Sequence, residues 1–101
     1  MIKHSVIFKL KNTIDPAQQN SFFGAAEQLS NIPGVLNFEM HLQVSAKNHY
    51  EYGISMEFAS QNDYDQYNNH PAHQAFIEKY WLTCVDEFLE IDYKPFHAPS
   101  A

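Results

Sequence analysis

The chain has 101 residues, 45% of them hydrophobic and 15% aromatic, which suits one folded domain with a modest core and is too apolar for a disordered segment. Six lysines, no arginine and twelve acidic residues leave a formal charge of −6, so nucleic acid and anionic membrane surfaces are not expected partners. Cys84 is the single cysteine, which excludes an internal disulfide and a cysteine-based zinc cluster.

The N-terminal stretch MIKHSVIFKLK is an alternating strand rather than a signal peptide, and no later run is long enough to span a membrane. A cytoplasmic protein is therefore expected. Ile2, His4, Val6, Phe8 and Leu10 share one face of this strand, and Lys3, Ser5, Ile7 and Lys9 the other. A helix follows. Asp15 is its predicted cap, Pro16 suits its first turn, and Phe22, Phe23, Ala26 and Leu29 form its apolar stripe. Pro33-Gly34 centres a turn.

The next segment alternates again, with Leu36, Phe38, Met40, Leu42 and Val44 on one face. After the polar loop SAKNHYE, a further strand places Tyr52, Ile54, Met56 and Phe58 together, which reads as a hairpin. Ser60 is the predicted cap of a short helix reaching about Tyr67, and Pro71 opens a longer one reaching about Cys84. The stretch FLEIDYKPF is the last strand, with Leu89, Ile91 and Tyr93 on the face expected to meet the helices and Glu90 and Asp92 opposite. The order β-α-β-β-α-β in residues 1–101 predicts a single α+β domain with a ferredoxin-like antiparallel sheet and helices on one side. Its other sheet face is polar, interrupted by Ile7 and Val35, and suits water or a second copy of the chain.

The segment YNNHPAHQAF, from Tyr67 to Phe76, carries the chemistry. A residue before proline avoids the helical region, so His70 is the predicted N-cap and Pro71 the first helical residue. His73 then stands three before Phe76 and four before Ile77, on the apolar stripe that continues through Tyr80, Trp81 and Cys84. His4 is the one polar residue on the apolar face of the first strand. His4, Tyr67 and His73 are thus expected to converge on an apolar pocket, with Val6, Phe8, Phe22, Phe23, His70 and Phe76 counted among its binding residues. Burial and the helix N-terminus both favour a neutral imidazole. Such a ring accepts a proton, and a tyrosine hydroxyl holds an oxygen. The same pattern also suits a hydrogen-bonded core histidine, and Cys84 and Trp81 read as core. His4, His70 and His73 are not expected to meet around a metal ion, because the backbone before Pro71 sends His70 in a different direction from His73.

The opening IKHSVIFKLK, the IPGV turn, YNNHPAHQAF and the closing IDYKPF together resemble the stress-responsive A/B barrel (Dabb) family over nearly the whole chain. The resemblance implies a homodimer in which two sheets form an α+β barrel. It also implies a cofactor-free cyclase or lyase acting on a small hydrophobic or polyketide-like ligand. Carried over from a plant polyketide cyclase of the family, the catalytic pair falls on Tyr67 and His73, a pocket histidine on His4, and paired phenylalanines on Phe22 and Phe23. Asn68, Asn69 and Ala26 depart from that cyclase, which has apolar residues after its tyrosine and a tyrosine on the first helix, so substrate identity does not transfer. A non-catalytic, stress-associated ligand-binding dimer fits the same resemblance. A cofactor-independent monooxygenase or haem-degrading relative shares only the architecture.

Overall fold

The computed structural model describes residues 1–99. Four strands, β1 (Ile2–Leu10), β2 (Leu36–Leu42), β3 (Tyr52–Phe58) and β4 (Val85–Tyr93), form one sheet in the order β2-β3-β1-β4. All neighbours are antiparallel. Helices α1 (Pro16–Glu27), α2 (Gln61–Asn69) and α3 (Pro71–Phe76) pack on one face of it. This is the ferredoxin-like arrangement that the element order predicts.

Local chemistry explains the boundaries. Asp15 caps α1 by accepting from the Gln18 backbone N–H, while the Gln18 side chain accepts from Asp15 N–H. This reciprocal box occupies two donors that the helix leaves unpaired. After a 3₁₀ turn at Gln28–Asn31, Gly34 sits at φ 91° and Val35 N–H donates to the Ile32 carbonyl. A type II turn requires positive φ at its second central position, which glycine supplies, and readily takes proline at the first. The helix that starts at Pro71 widens into a π turn at Ile77–Trp81, marked by a bond from Leu82 N–H to the Ile77 carbonyl, and ends at Leu82–Cys84.

Between sheet and helices lies an aromatic core. Phe8, Phe22, Phe58 and Met56 are its most deeply buried large side chains. Phe8 packs edge-on against Phe22 and is 5.1 Å, ring to ring, from Trp81.

Two strands depart from the expected facing. In β2, Asn37 adopts φ 49° within a bulge between Leu36 and Glu39. Leu36 therefore pairs with Glu57 on the open face, opposite Phe38 and Met40 rather than beside them. In β4, Val6 pairs with Glu90 and His4 with Asp92, which puts Glu90, Asp92 and Phe88 on the helix side. Leu89, Ile91 and Tyr93 lie on the open face across from Ile7, Ser5 and Lys3. The strand also starts earlier than FLEIDYKPF suggests, at Val85, and a register shift follows between Lys9 and Leu10. That irregularity keeps Val85 in the core while committing the following alternation to acids on the helix side.

Candidate functional site

Ser60 caps α2 by accepting from Asp63 N–H, and the helix turns Tyr64 and Tyr67, three residues apart, toward the sheet. His70 ends α2 with an extended backbone (ψ 135°) and caps α3, its Nδ1 accepting from Ala72 N–H at 3.0 Å. The break folds α3 back across the end of α2. His73 Nδ1 comes within 3.2 Å of the Asn68 carbonyl, and the His73 ring lies 4.5 Å from that of Tyr67. A carbonyl only accepts, so His73 Nδ1 carries the proton and Nε2 holds the lone pair when the ring is neutral.

His4, Tyr67 and His73 open onto a single cavity of about 240 Å³. Val6, Ile54 and Met56 form its sheet wall, while Phe76, Ile77, Trp81 and Leu82 form its helix wall. Leu29, Phe88 and Glu90 also line it. The π turn presents the successive residues Trp81 and Leu82 to the same space, a use of widened turns that is common at functional sites. Burial lowers the His73 pKa below its ordinary 6.5, with the Asn68 carbonyl opposing and His4 adding to the shift. Burial likewise holds the Tyr67 hydroxyl protonated, well above its ordinary 10. The cavity therefore presents a neutral imidazole beside a proton-bearing phenol in largely apolar surroundings.

His4 is the one polar side chain in the buried core among the described residues. Its Nδ1 lies 2.6 Å from Asp92 Oδ1 and 3.0 Å from the Tyr64 hydroxyl, which itself donates to Asp92 Oδ2 at 2.8 Å. Burial and the adjacent carboxylate push the Tyr64 pKa up, so its proton stays on oxygen. Ring contacts of 5.1 Å with Tyr64 and 6.3 Å with Tyr67 complete the packing around His4.

Among the residues that the sequence singles out, His4, Val6, Tyr67, His73 and Phe76 line the cavity. Phe8 and Phe22 lie behind the wall, in the aromatic core. Phe23 packs on Tyr52, away from the opening, and His70 serves as the helix cap. These four are not lining residues. Nothing in the sequence pattern marks Asp92, Glu90 and Tyr64 for the site. The signal that finds them is strand pairing: whatever lies opposite His4 and Val6 on β4 must share their face. Among the described residues, no group of three or more His, Cys, Asp or Glu side chains is placed to hold a metal ion.

A ferredoxin-like sheet with a histidine- and tyrosine-bearing cavity under its helices defines the class of the molecule. The chain belongs to the stress responsive A/B barrel domain (Dabb) family, whose model matches residues 2–95. It is 31% identical over 98 residues to olivetolic acid cyclase from Cannabis sativa, covering 93% of this chain and 96% of that one. A Dabb family protein with a ferredoxin-like fold from Mesorhizobium loti superposes with a TM-score of 0.88 at 44% identity, covering 95% of this chain and 97% of that one. A dimeric ferredoxin-like protein from Bacteroides fragilis gives a TM-score of 0.72 at 26% identity, covering 92% and 94%. No helix among the described residues is long and apolar enough to cross a membrane.

Proposed function

We propose that this chain is a cofactor-free acid–base enzyme of the cyclase or lyase type, acting on short carbonyl compounds resembling polyketides. The observation that carries the reading is the Tyr67–His73 pair, 4.5 Å ring to ring, in an apolar cavity. His73 Nε2 takes a proton from carbon next to a carbonyl. The C–H electron pair passes into an enolate, whose oxygen the Tyr67 hydroxyl stabilises. In the ring-closing version, which the likeness to olivetolic acid cyclase supports, the enolate carbon bonds to a second carbonyl of the same molecule. The imidazolium then returns its proton to the new alkoxide. A cavity of about 240 Å³ is a little smaller than the roughly 300–1,000 Å³ of typical small-molecule sites, which favours a short ligand.

The same reading makes the molecule a cytoplasmic homodimer. Leu36, Leu89 and Tyr93, all well exposed, lie with Ile91 and Ile7 on the open sheet face. A second sheet is the natural cover for such a surface, and the Bacteroides fragilis relative is a dimer. The test of the activity is a screen of β-keto acids and short β-ketoacyl thioesters with Tyr67→Phe beside the unmodified chain. Turnover should fall at least tenfold while affinity for an unreactive keto analogue stays within a few-fold. Binding with no turnover of any candidate favours the second reading, a ligand-binding dimer, for which the apolar lining speaks.

A further inference from the structure

We infer that His4 is a second catalytic imidazole, held in its reactive tautomer by Asp92 and Tyr64; this deepens the acid–base reading above and rests on it. Tyr64 keeps its proton and donates it to Asp92 Oδ2 at 2.8 Å, so its oxygen faces His4 Nδ1, 3.0 Å away, as an acceptor. Asp92 Oδ1, 2.6 Å from the same nitrogen, is an acceptor as well. Two acceptors at one nitrogen place the proton there. His4 Nε2 is then the unprotonated atom of the neutral ring, and it makes no hydrogen bond to protein among the described residues. His4 itself lines the cavity beside Tyr67.

This is the arrangement of a base, an orienting carboxylate and a fixed tautomer that recurs in acid–base and nucleophilic sites. A ring that only filled the core would be satisfied by either partner. Here one carboxylate spans both the imidazole and the phenol, so the ring cannot turn without breaking a charge-assisted bond. His73, by contrast, has only a neutral carbonyl behind it. An imidazolium formed at His4 is stabilised by Asp92, whereas one formed at His73 has no carboxylate bonded to it. The geometry thus divides the work. His73 and Tyr67 engage the carbonyl end that loses the first proton. His4 Nε2, unprotonated at the start, takes the proton of the hydroxyl that His73 forms at the other reacting carbon; where that carbon is a thioester carbonyl, its C=O re-forms, the C–S bond breaks, and the His4 imidazolium gives the proton to the departing thiolate. Asp92 and Tyr64 are positioning residues that act through His4.

The experiment follows solvent deuterium incorporation into acetoacetyl-N-acetylcysteamine by proton NMR, with ¹⁵N shifts of the His4 ring read on the same samples. The unmodified chain should exchange the C2 protons and show His4 protonated at Nδ1. Asp92→Asn should move His4 toward the Nε2–H tautomer and slow thiol release from 3,5-dioxohexanoyl-N-acetylcysteamine, followed beside the exchange, at least tenfold. Asp92→Glu should recover part of the rate, and melting temperatures identify any variant that fails to fold. Thiol release that is absent from the unmodified chain, or that survives both Asp92→Asn and His4→Gln at full rate, would overturn the role of His4 alone. An Nε2–H tautomer in the unmodified chain would overturn it too. Absence of exchange in every protein would sink the acid–base reading itself, and this inference with it.

Discussion

A histidine enclosed by aromatic rings needs its buried polar atoms occupied, and His4 has two partners at Nδ1 while its Nε2 is left to the cavity that the ring lines. His73 meets that need differently, half-buried at the start of α3 with one bond to the Asn68 carbonyl. Because burial lowers the His73 pKa below 6.5, the unfolded chain binds more protons there than the folded one. Its contribution to stability is therefore fully present above the unfolded value and is lost as pH falls through the window beneath it. Comparing urea midpoints of the unmodified chain and His73→Gln between pH 5 and pH 7 should show a steeper acid decline for the unmodified chain. Parallel curves would contradict the shift. Phe22, with none of its surface exposed, sits between Phe8, Phe76 and Trp81. Phe22→Ala should cost about 3–5 kcal/mol in a denaturant titration without removing a cavity-lining group. Of the residues that line the cavity, His4 and His73 were legible because each is a polar residue in an apolar period, and Tyr67 because the short helix before Pro71 ends at it. Asp92 was not, since an acid between apolar neighbours on a strand reads as the solvent side.

Elements show where pattern alone stops. Alternation assigns residues to two faces but does not say which face meets the helices. In β1 the answer is plain, because the odd positions include two lysines. In β4 the more apolar set, Leu89, Ile91 and Tyr93, lies on the open face, and only pairing with β1 reveals it. In β2 the left-handed Asn37 changes the facing midway, and asparagine is among the few residues that tolerate that conformation. Asn37→Val should cost about 1–3 kcal/mol by thermal or chemical unfolding, and it also removes the 3.2 Å bond from Asn37 to Glu57. A neutral result would mean that the bulge relaxes at no cost. Caps and turns were the most legible features, since Asp15, Ser60, Pro33-Gly34 and His70-Pro71 each have a local chemical reason to be where they are.

For the molecule as a whole, one sheet face is covered by helices and carries the cavity, while the other carries an apolar strip with nothing of its own chain over it among the described residues. That asymmetry underlies the proposed dimer. Leu89→Asp places a charge at the centre of the strip, far from the caps and the aromatic core. In sedimentation at low micromolar concentration, the unmodified chain should run at about twice its chain mass and the variant nearer to the single chain. A monomeric unmodified chain would remove the barrel assembly and leave the cavity to be judged by its chemistry. That chemistry is tested most directly by the rate at which His73→Ala converts whichever β-keto thioester the unmodified chain turns over, with the melting temperature measured alongside. Loss of proton transfer predicts a fall of about 10²–10⁴-fold with a melting point near that of the unmodified chain. An unchanged rate, or a large drop in melting point with no activity in either protein, would contradict a catalytic His73.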